Sequence, residues 1–180
     1  MSVIGSKIIR FATISSTSDQ AKEIAPTAGE GTIIVAEEQT GGRGKPGNSW
    51  YSPGEKGLYF SIILKPYKNP NELTQLTKLA AAAVVKAINK GFKIEAVIKE
   101  PNDILINNKK VAGILTEKNG SSLIVGIGIN VNNTEFPEEL TGNTTSLMLQ
   151  KNRLIDKEVF FMQVLAALDL EYSKFLGIRI

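Results

Sequence analysis

Residues 39–64, QTGGRGKPGNSWYSPGEKGLYFSIIL, carry a glycine-rich cationic loop into a strongly strand-forming run, and a short β-branched run at 32–36 precedes them. The chain must therefore accommodate a hairpin whose connection is built for close approach. Gly41, Gly42, Gly44 and Gly47 let the backbone reach positive φ and bring its N–H groups near an anion, while Arg43 and Lys45 add charge. The spacing of Gly42, Gly44 and Gly47 also fits GxGxxG, but that fingerprint needs a helix next, and Trp50, Tyr51, Ser52 and Pro53 lead into a strand instead. A dinucleotide fold is rejected on that ground, and the spacing GxxxxGK[ST] of a Walker loop is absent. The loop reads as an anion-binding hairpin; a glycine-rich connection without a ligand is the alternative.

The absent residue types narrow the chemistry further. With no cysteine and no histidine, the chain cannot form disulfides, a thiolate nucleophile, a Ser-His-Asp triad or a conventional zinc site. Lys, Arg, Asp, Glu, Tyr, Asn and backbone amides remain, a set better suited to stabilising charge than to shuttling protons. The 180 residues, 42% of them hydrophobic, suffice for the core of one domain. No apolar run approaches the roughly 18 residues of a membrane span, and no basic segment leads into an apolar one at the N-terminus, so a cytoplasmic protein with no membrane partner is expected. The net charge of +3 is spread along the chain among acidic residues, which argues against nucleic acid recognition.

Strands are predicted over residues 8–14, 32–36, 57–64, 92–99, 104–106, 111–117 and 122–131, with turns at Asn107-Asn108 and Asn119-Gly120. Pro66 to Pro70 should end the first hairpin. The polar run 15–19 offers N-caps for a short helix over 20–25. Helical spacing of Leu73, Leu76, Leu79, Ala80, Ala83, Val84, Ala87 and Ile88 predicts a long helix over 72–89, stopped at Gly91. A second helix is predicted over 156–176, with Val159, Phe160, Met162, Leu165, Leu168, Tyr172 and Phe175 facing the core. Residues 134–145 read as a polar connection. This order of elements predicts an α+β fold, a mixed and largely antiparallel sheet flanked by helices.

Two further segments cluster polar groups. In KEPND, residues 99–103, a strand ends at a turn; the alternative to a site is a charged turn. Lys109 and Lys110 follow at a hairpin that would return a cation to the same rim. In GIGINVN, residues 126–132, glycines allow close approach beside Asn130, and a bulge with an Asn turn is the other reading.

Taken together, STSDQA, QTGGRGKPGNSW, GLYFSIIL, KEPNDILINNKKVAGIL, GIGINVN and TTSL, in this order along nearly the whole chain, resemble the catalytic domain of biotin protein ligases. The resemblance implies a fold similar to the catalytic domains of class II aminoacyl-tRNA synthetases. It also implies a reaction in which biotin and ATP give biotinyl-5′-AMP, whose biotinyl group passes to a lysine of a biotin carboxyl carrier protein. By matched position, Ser16, Thr17, Ser18, Gln39, Gly42, Arg43, Gly44, Lys45, Lys99 and Gly113 are the implied biotin-binding residues. Arg43, Trp50, Asn102, Lys110 and Asn130 fall on the ATP side, with core packing as the other reading of Trp50. Arg43, Lys45, Lys99 and Lys110 are the implied catalytic cations, and Asp103 the implied contact to Mg²⁺.

The chain departs from the family pattern at several positions. Lys45 stands where a second arginine is usual and loses its bidentate fork; Pro46 stiffens the loop, Asn48 replaces another common cation, and Glu100 replaces the tryptophan of KWPND. The resemblance further implies a catalytic domain over residues 1–180 without an N-terminal DNA-binding domain, and without the small C-terminal β-barrel of many relatives. Homodimerisation is plausible from the family. A lipoate-type ligase, whose glycine motif is usually followed by a histidine, and a non-catalytic biotinyl-adenylate or carrier-binding module are the competing readings.

Overall fold

The computed structural model describes residues 2–66 and 73–178. The predicted strand order becomes a seven-stranded sheet with the spatial order β1 (Lys7–Ile14), β2 (Thr32–Gln39), β3 (Gly57–Leu64), β7 (Ser122–Asn130), β6 (Lys109–Asn119), β5 (Asp103–Ile106), β4 (Ala96–Lys99). Only β1 and β2 run parallel; every other neighbouring pair is antiparallel. The α+β architecture anticipated from the sequence is the one observed. Its helices are α1 (Thr17–Ile24), α2 (Leu73–Phe92), α3 (Leu147–Lys151) and α4 (Lys157–Leu176).

Strand alternation separates the two faces. Ile33, Val35, Leu58, Phe60, Ile62, Leu64, Val125, Ile127 and Ile129 turn toward α2 and α4 and join the main core. Ile34, Ile63 and Ile124 turn the other way and meet Ala21 and Ala25 of α1 in a smaller cluster. Helix α1 is short and covers only part of its face: Thr17 and Ser18 lie over Ser61, while Gly126 and Gly128 stay partly exposed and open for a site.

Several boundaries differ from expectation, each for a local reason. Helix α2 runs through Gly91 to Phe92, because Phe92 is buried edge-on against Phe160 of α4 with ring centroids 5.1 Å apart. That packing outweighs the roughly 1 kcal/mol cost of a glycine in a helix. The strand expected from residue 92 therefore begins only at Ala96, after Lys93 turns the chain at φ 52°. On α4, Phe161, Val164 and Leu176 are buried with Phe160, Leu165, Leu168 and Tyr172, whereas Val159 and Met162 are 55% and 56% exposed; the buried stripe is rotated from the predicted one. Helix α3 was not anticipated; Ser146 caps it by accepting from the Leu149 N–H at 3.1 Å. Asn107 and Asn108, at φ 50° and 62°, form the two-residue turn between β5 and β6, as predicted. The turn through Pro70, the helix start at Glu72 and the side chain of Leu73 lie outside the described residues.

Glu171 ties α4 to α2. Its carboxylate accepts from Lys86 at 2.7 Å and from Lys174 at 3.1 Å, and chiefly the Lys86 contact lowers its pKa below the usual carboxylate value. A depressed pKa stabilises the fold above the unfolded-state value and loses that contribution as pH falls through the folded-state value. Thermal unfolding of Glu171→Gln and wild type should therefore differ at neutral pH and converge in acid; a constant difference across that range would disprove the linkage.

Candidate active site

One cavity of about 270 Å³ opens on the face shared with α1. Its floor is glycine. Gly113 of β6 and Gly128 of β7 are register partners, with Gly126 one alternation further along β7. Without side chains at these positions, the floor admits another ring directly: an added Cβ at Gly128 would lie 2.4 Å from Trp50 Nε1, and one at Gly113 2.9 Å from Trp50 Cζ3. Trp50 packs on this floor, and its indole N–H is buried with no protein partner.

The glycine-rich loop forms a small hairpin over the cavity. Arg43 and Ser49 bridge antiparallel, Trp50 N–H donates to Gly42 O at 2.9 Å, and Asn48 N–H donates to Lys45 O at 2.8 Å. With Pro46 in the second position of that last turn and Gly47 at φ 87° in the third, it has the form of a type II turn. Lys45-Pro46, a departure from the family pattern, thus makes a turn this loop uses.

At one end, α1 and β2 build a polar wall. Ser16 caps α1 by accepting from Asp19 N–H at 3.3 Å, which places Thr17 and Ser18 in the first turn against the sheet. Gln39 Oε1 accepts from Thr17 N–H at 2.8 Å and from its hydroxyl at 3.1 Å, while Gln39 Nε2 donates to Ser52 Oγ at 2.8 Å. Ser61 Oγ lies 2.9 Å from Thr17 Oγ1 and 3.0 Å from Ser18 Oγ. Each hydroxyl has one proton. If Thr17 gives its proton to Gln39, Ser61 donates to Thr17 and Ser18 to Ser61, so the wall offers acceptor lone pairs to a ligand's N–H groups.

Cations line the same cavity. Lys110 Nζ is 2.8 Å from Asp103 Oδ1 and 5.2 Å from the Trp50 ring centroid, and Lys45 also lines the cavity. Arg43 lines it as well and donates from Nε and Nη2 to Asp19 Oδ2 at 3.0 and 2.8 Å. Asn102 donates through Nδ2 to Ile114 O at 2.8 Å, and its buried Oδ1 has no partner. Lys110, Asn102 and Trp50 thus line the same cavity.

Of the predicted site residues, Thr17, Ser18, Gln39, Arg43, Gly44, Lys45, Trp50, Asn102, Asp103, Lys110 and Gly113 line this cavity together. Ser16 and Gly42 lie beside it, as helix cap and loop partner. Asn130 is buried and donates to Thr145 O at 3.1 Å, bracing the chain beyond β7. Lys99 is exposed at the end of β4, opposite Asp103 in register, and is not part of the lining. Glu100, in the place of the family tryptophan, pairs with Lys78 at 3.4 Å on the surface. Sequence reasoning missed Ser61 and Ser52, and marked Gly126 and Gly128 for close approach without placing them in the site; the one serine in GLYFSIIL and the strict alternation of GIGIN were the available signals.

Tyr59 shares this face of β3, but burial holds its phenol protonated far above the ordinary range, and it donates to Pro53 O at 3.2 Å. Among the described residues, no group of three or more acidic, Cys or His side chains could cage a metal, and no helix is long and apolar enough to cross a membrane.

The biotin/lipoate A/B protein ligase family model matches residues 10–133. The bifunctional ligase/repressor BirA of Bacillus subtilis is 41% identical over 182 residues, covering 97% of this chain and 56% of that protein. The biotin–[acetyl-CoA-carboxylase] ligase of Paracoccus denitrificans is 35% identical over 128 residues, 67% of this chain and 53% of its own length. The chain thus spans about half the length of these curated relatives. A solved structure of biotin protein ligase from Aquifex aeolicus, in complex with biotin and ATP, superposes with a TM-score of 0.89 at 36% identity, covering 96% of this chain and 72% of that one.

Proposed function

Because the chain belongs to the biotin/lipoate A/B protein ligase family, we propose that it activates biotin with ATP to biotinyl-5′-AMP and transfers the biotinyl group to a lysine of a biotin carboxyl carrier protein. The observation that carries this reading is one cavity lined both by neutral hydroxyl and amide groups and by cations and unpartnered hydrogen-bonding atoms. A bicyclic urea with a carboxylate tail calls for both kinds of group. At about 270 Å³ the cavity falls just below the roughly 300–1,000 Å³ of ligand sites, so it suits a ligand as small as biotin, and the nucleotide would lie along the open rim.

The acceptor wall of Thr17, Ser18 and Gln39 would hold the ureido N–H groups, and the glycine floor with Trp50 the ring system. The tail would then point toward Lys110 and Arg43. Attack of an ionised carboxylate on the α-phosphorus needs no general base; the barrier is repulsion between two anions, which fixed cations lower. A site without histidine is adequate for that. The bond from the α-phosphorus to the leaving pyrophosphate breaks as the carboxylate oxygen bonds to it, and Lys110, Lys45 and Arg43 would neutralise the charge in motion. Asn102 and Trp50 would supply an acceptor and a donor to the adenylate, with Lys99 meeting substrate from the β4 end. In the second half, the carrier's amine attacks the mixed anhydride and AMP leaves.

Magnesium, when brought by ATP, would screen its phosphates. One carboxylate, Asp103, already paired with Lys110, fits an ion held mainly by those phosphates rather than a dedicated protein cage.

Biotin-dependent exchange of labelled pyrophosphate into ATP tests the activation step without a carrier, with lipoate as the competing acid. Exchange with biotin is expected. Exchange with lipoate alone would move the chain to the lipoate branch, and biotin binding without exchange would make it a binding module. Gln39→Ala should raise KM for biotin about tenfold, the cost of stranding polar partners in the wall, and leave KM for ATP nearly unchanged; equal effects on both would dismiss the division of the cavity.

A further inference from the structure

Arg43 is held in a specific way. Both of its hydrogen bonds, from Nε and Nη2, go to the single oxygen Oδ2 of Asp19, so Nη1 has no partner among the described residues although the side chain lines the cavity. The other oxygen of Asp19 faces Lys22, whose Nζ lies 3.9 Å away and is itself 2.7 Å from Glu117 of β6. Asn119 Nδ2 donates to Lys22 O at 2.7 Å, so the end of α1 is fastened to the β6–β7 hairpin by a second bond. A line of alternating charge, Glu117, Lys22, Asp19, Arg43, thus runs from the sheet through α1 to the glycine-rich loop.

We propose that Asp19 is a positioning residue for the acyl-adenylate step, gripping Arg43 by one edge so that the other edge of the guanidinium is available to the anion in the cavity. The proposal rests on the ligase reading for its chemistry, but the grip itself is a property of the protein without ligand. Its logic is preorganisation. A loop of four glycines pays a large ordering cost if it closes only when ligand arrives, and an ion pair in the free protein meets part of that cost beforehand. Asp19 and Arg43 have side chains 37% and 50% exposed, so the pair contributes little to global stability and its loss should be read in the loop and in turnover rather than in unfolding.

Two measurements test the proposal on the intact chain. Limited trypsin digestion of ligand-free protein reports the loop directly, because Lys45 precedes Pro46 and resists cleavage, leaving Arg43 as the cleavable residue in the loop. Asp19→Asn should be cut after Arg43 several-fold faster than wild type, with Asp19→Glu in between. In pyrophosphate exchange, Asp19→Asn should lower kcat on the order of tenfold with KM for biotin little changed, and should cause no further loss in an Arg43→Ala background. Equal cleavage rates in Asp19→Asn and wild type, or additive losses in the double variant, would overturn the positioning role. If wild type shows no exchange while cleavage still responds to Asp19, the ligase reading fails and the grip on Arg43 stands.

Discussion

Lys110→Met should reduce kcat for biotin-dependent pyrophosphate exchange about 10²- to 10³-fold, the usual effect of removing one preorganised group that stabilises developing charge. The substitution keeps the length of the side chain and its contact with the Trp50 face, and removes only the ammonium. Lys110 Nζ stands between Asp103, at 2.8 Å, and the indole, 5.2 Å from its centroid, so its position is fixed before any substrate enters. That fixing is what lets a single charge act on a transition state without reorganisation. KM for biotin should move far less than kcat, because the proposed contacts of the ureido end are with Thr17, Ser18 and Gln39. The fold should persist: the side chains of Lys110 and Asp103 are 34% and 26% exposed, so water can take over solvation of the orphaned carboxylate. A variant that keeps wild-type kcat, or one whose loss is entirely in biotin KM, would remove Lys110 from the reacting end.

Gly128→Ala should abolish most of the exchange, by about 100-fold or more, a magnitude expected when reacting groups are displaced by an ångström. The added methyl would lie 2.4 Å from Cε2 and Nε1 of Trp50, far inside contact distance, so the indole must leave the floor. Lys110 sits over that indole and would lose its support with it. The backbone at Gly128 is ordinary strand, so no conformational penalty is added and unfolding should change modestly. Gly54→Ala is the matched control: its new Cβ would come no closer than 3.6 Å to any neighbour, and activity should be retained. Normal turnover in Gly128→Ala would mean that the position of Trp50 is irrelevant to the chemistry.

What the sequence disclosed followed from short-range rules. The glycine-rich loop, the Asn107-Asn108 turn and β3 could be placed because turn chemistry and strand propensity act within a few residues. The limits of α2 and the face of α4 could not, since both depend on Phe92 meeting Phe160, residues brought together only by tertiary packing. The site divides in the same way. Arg43, Gln39 and Lys110 stood out by charge, spacing or family resemblance. Ser61 reads as a polar interruption in an apolar strand, and its partnership with Thr17 and Ser18 depends on α1 lying across β3. Asp19 looks like an ordinary acidic residue in a helix's first turn until the loop folds back onto it.

The chain contains one tryptophan, and it is Trp50, seated on the glycine floor beneath a lysine ammonium. The molecule therefore carries a native fluorophore inside its own cavity, with no second indole to dilute the signal. A ligand that slides between the ring and the floor, or draws Lys110 away, changes the polarity and charge the excited state experiences. Occupancy becomes an optical quantity that can be followed in unlabelled protein, including variants too slow to assay.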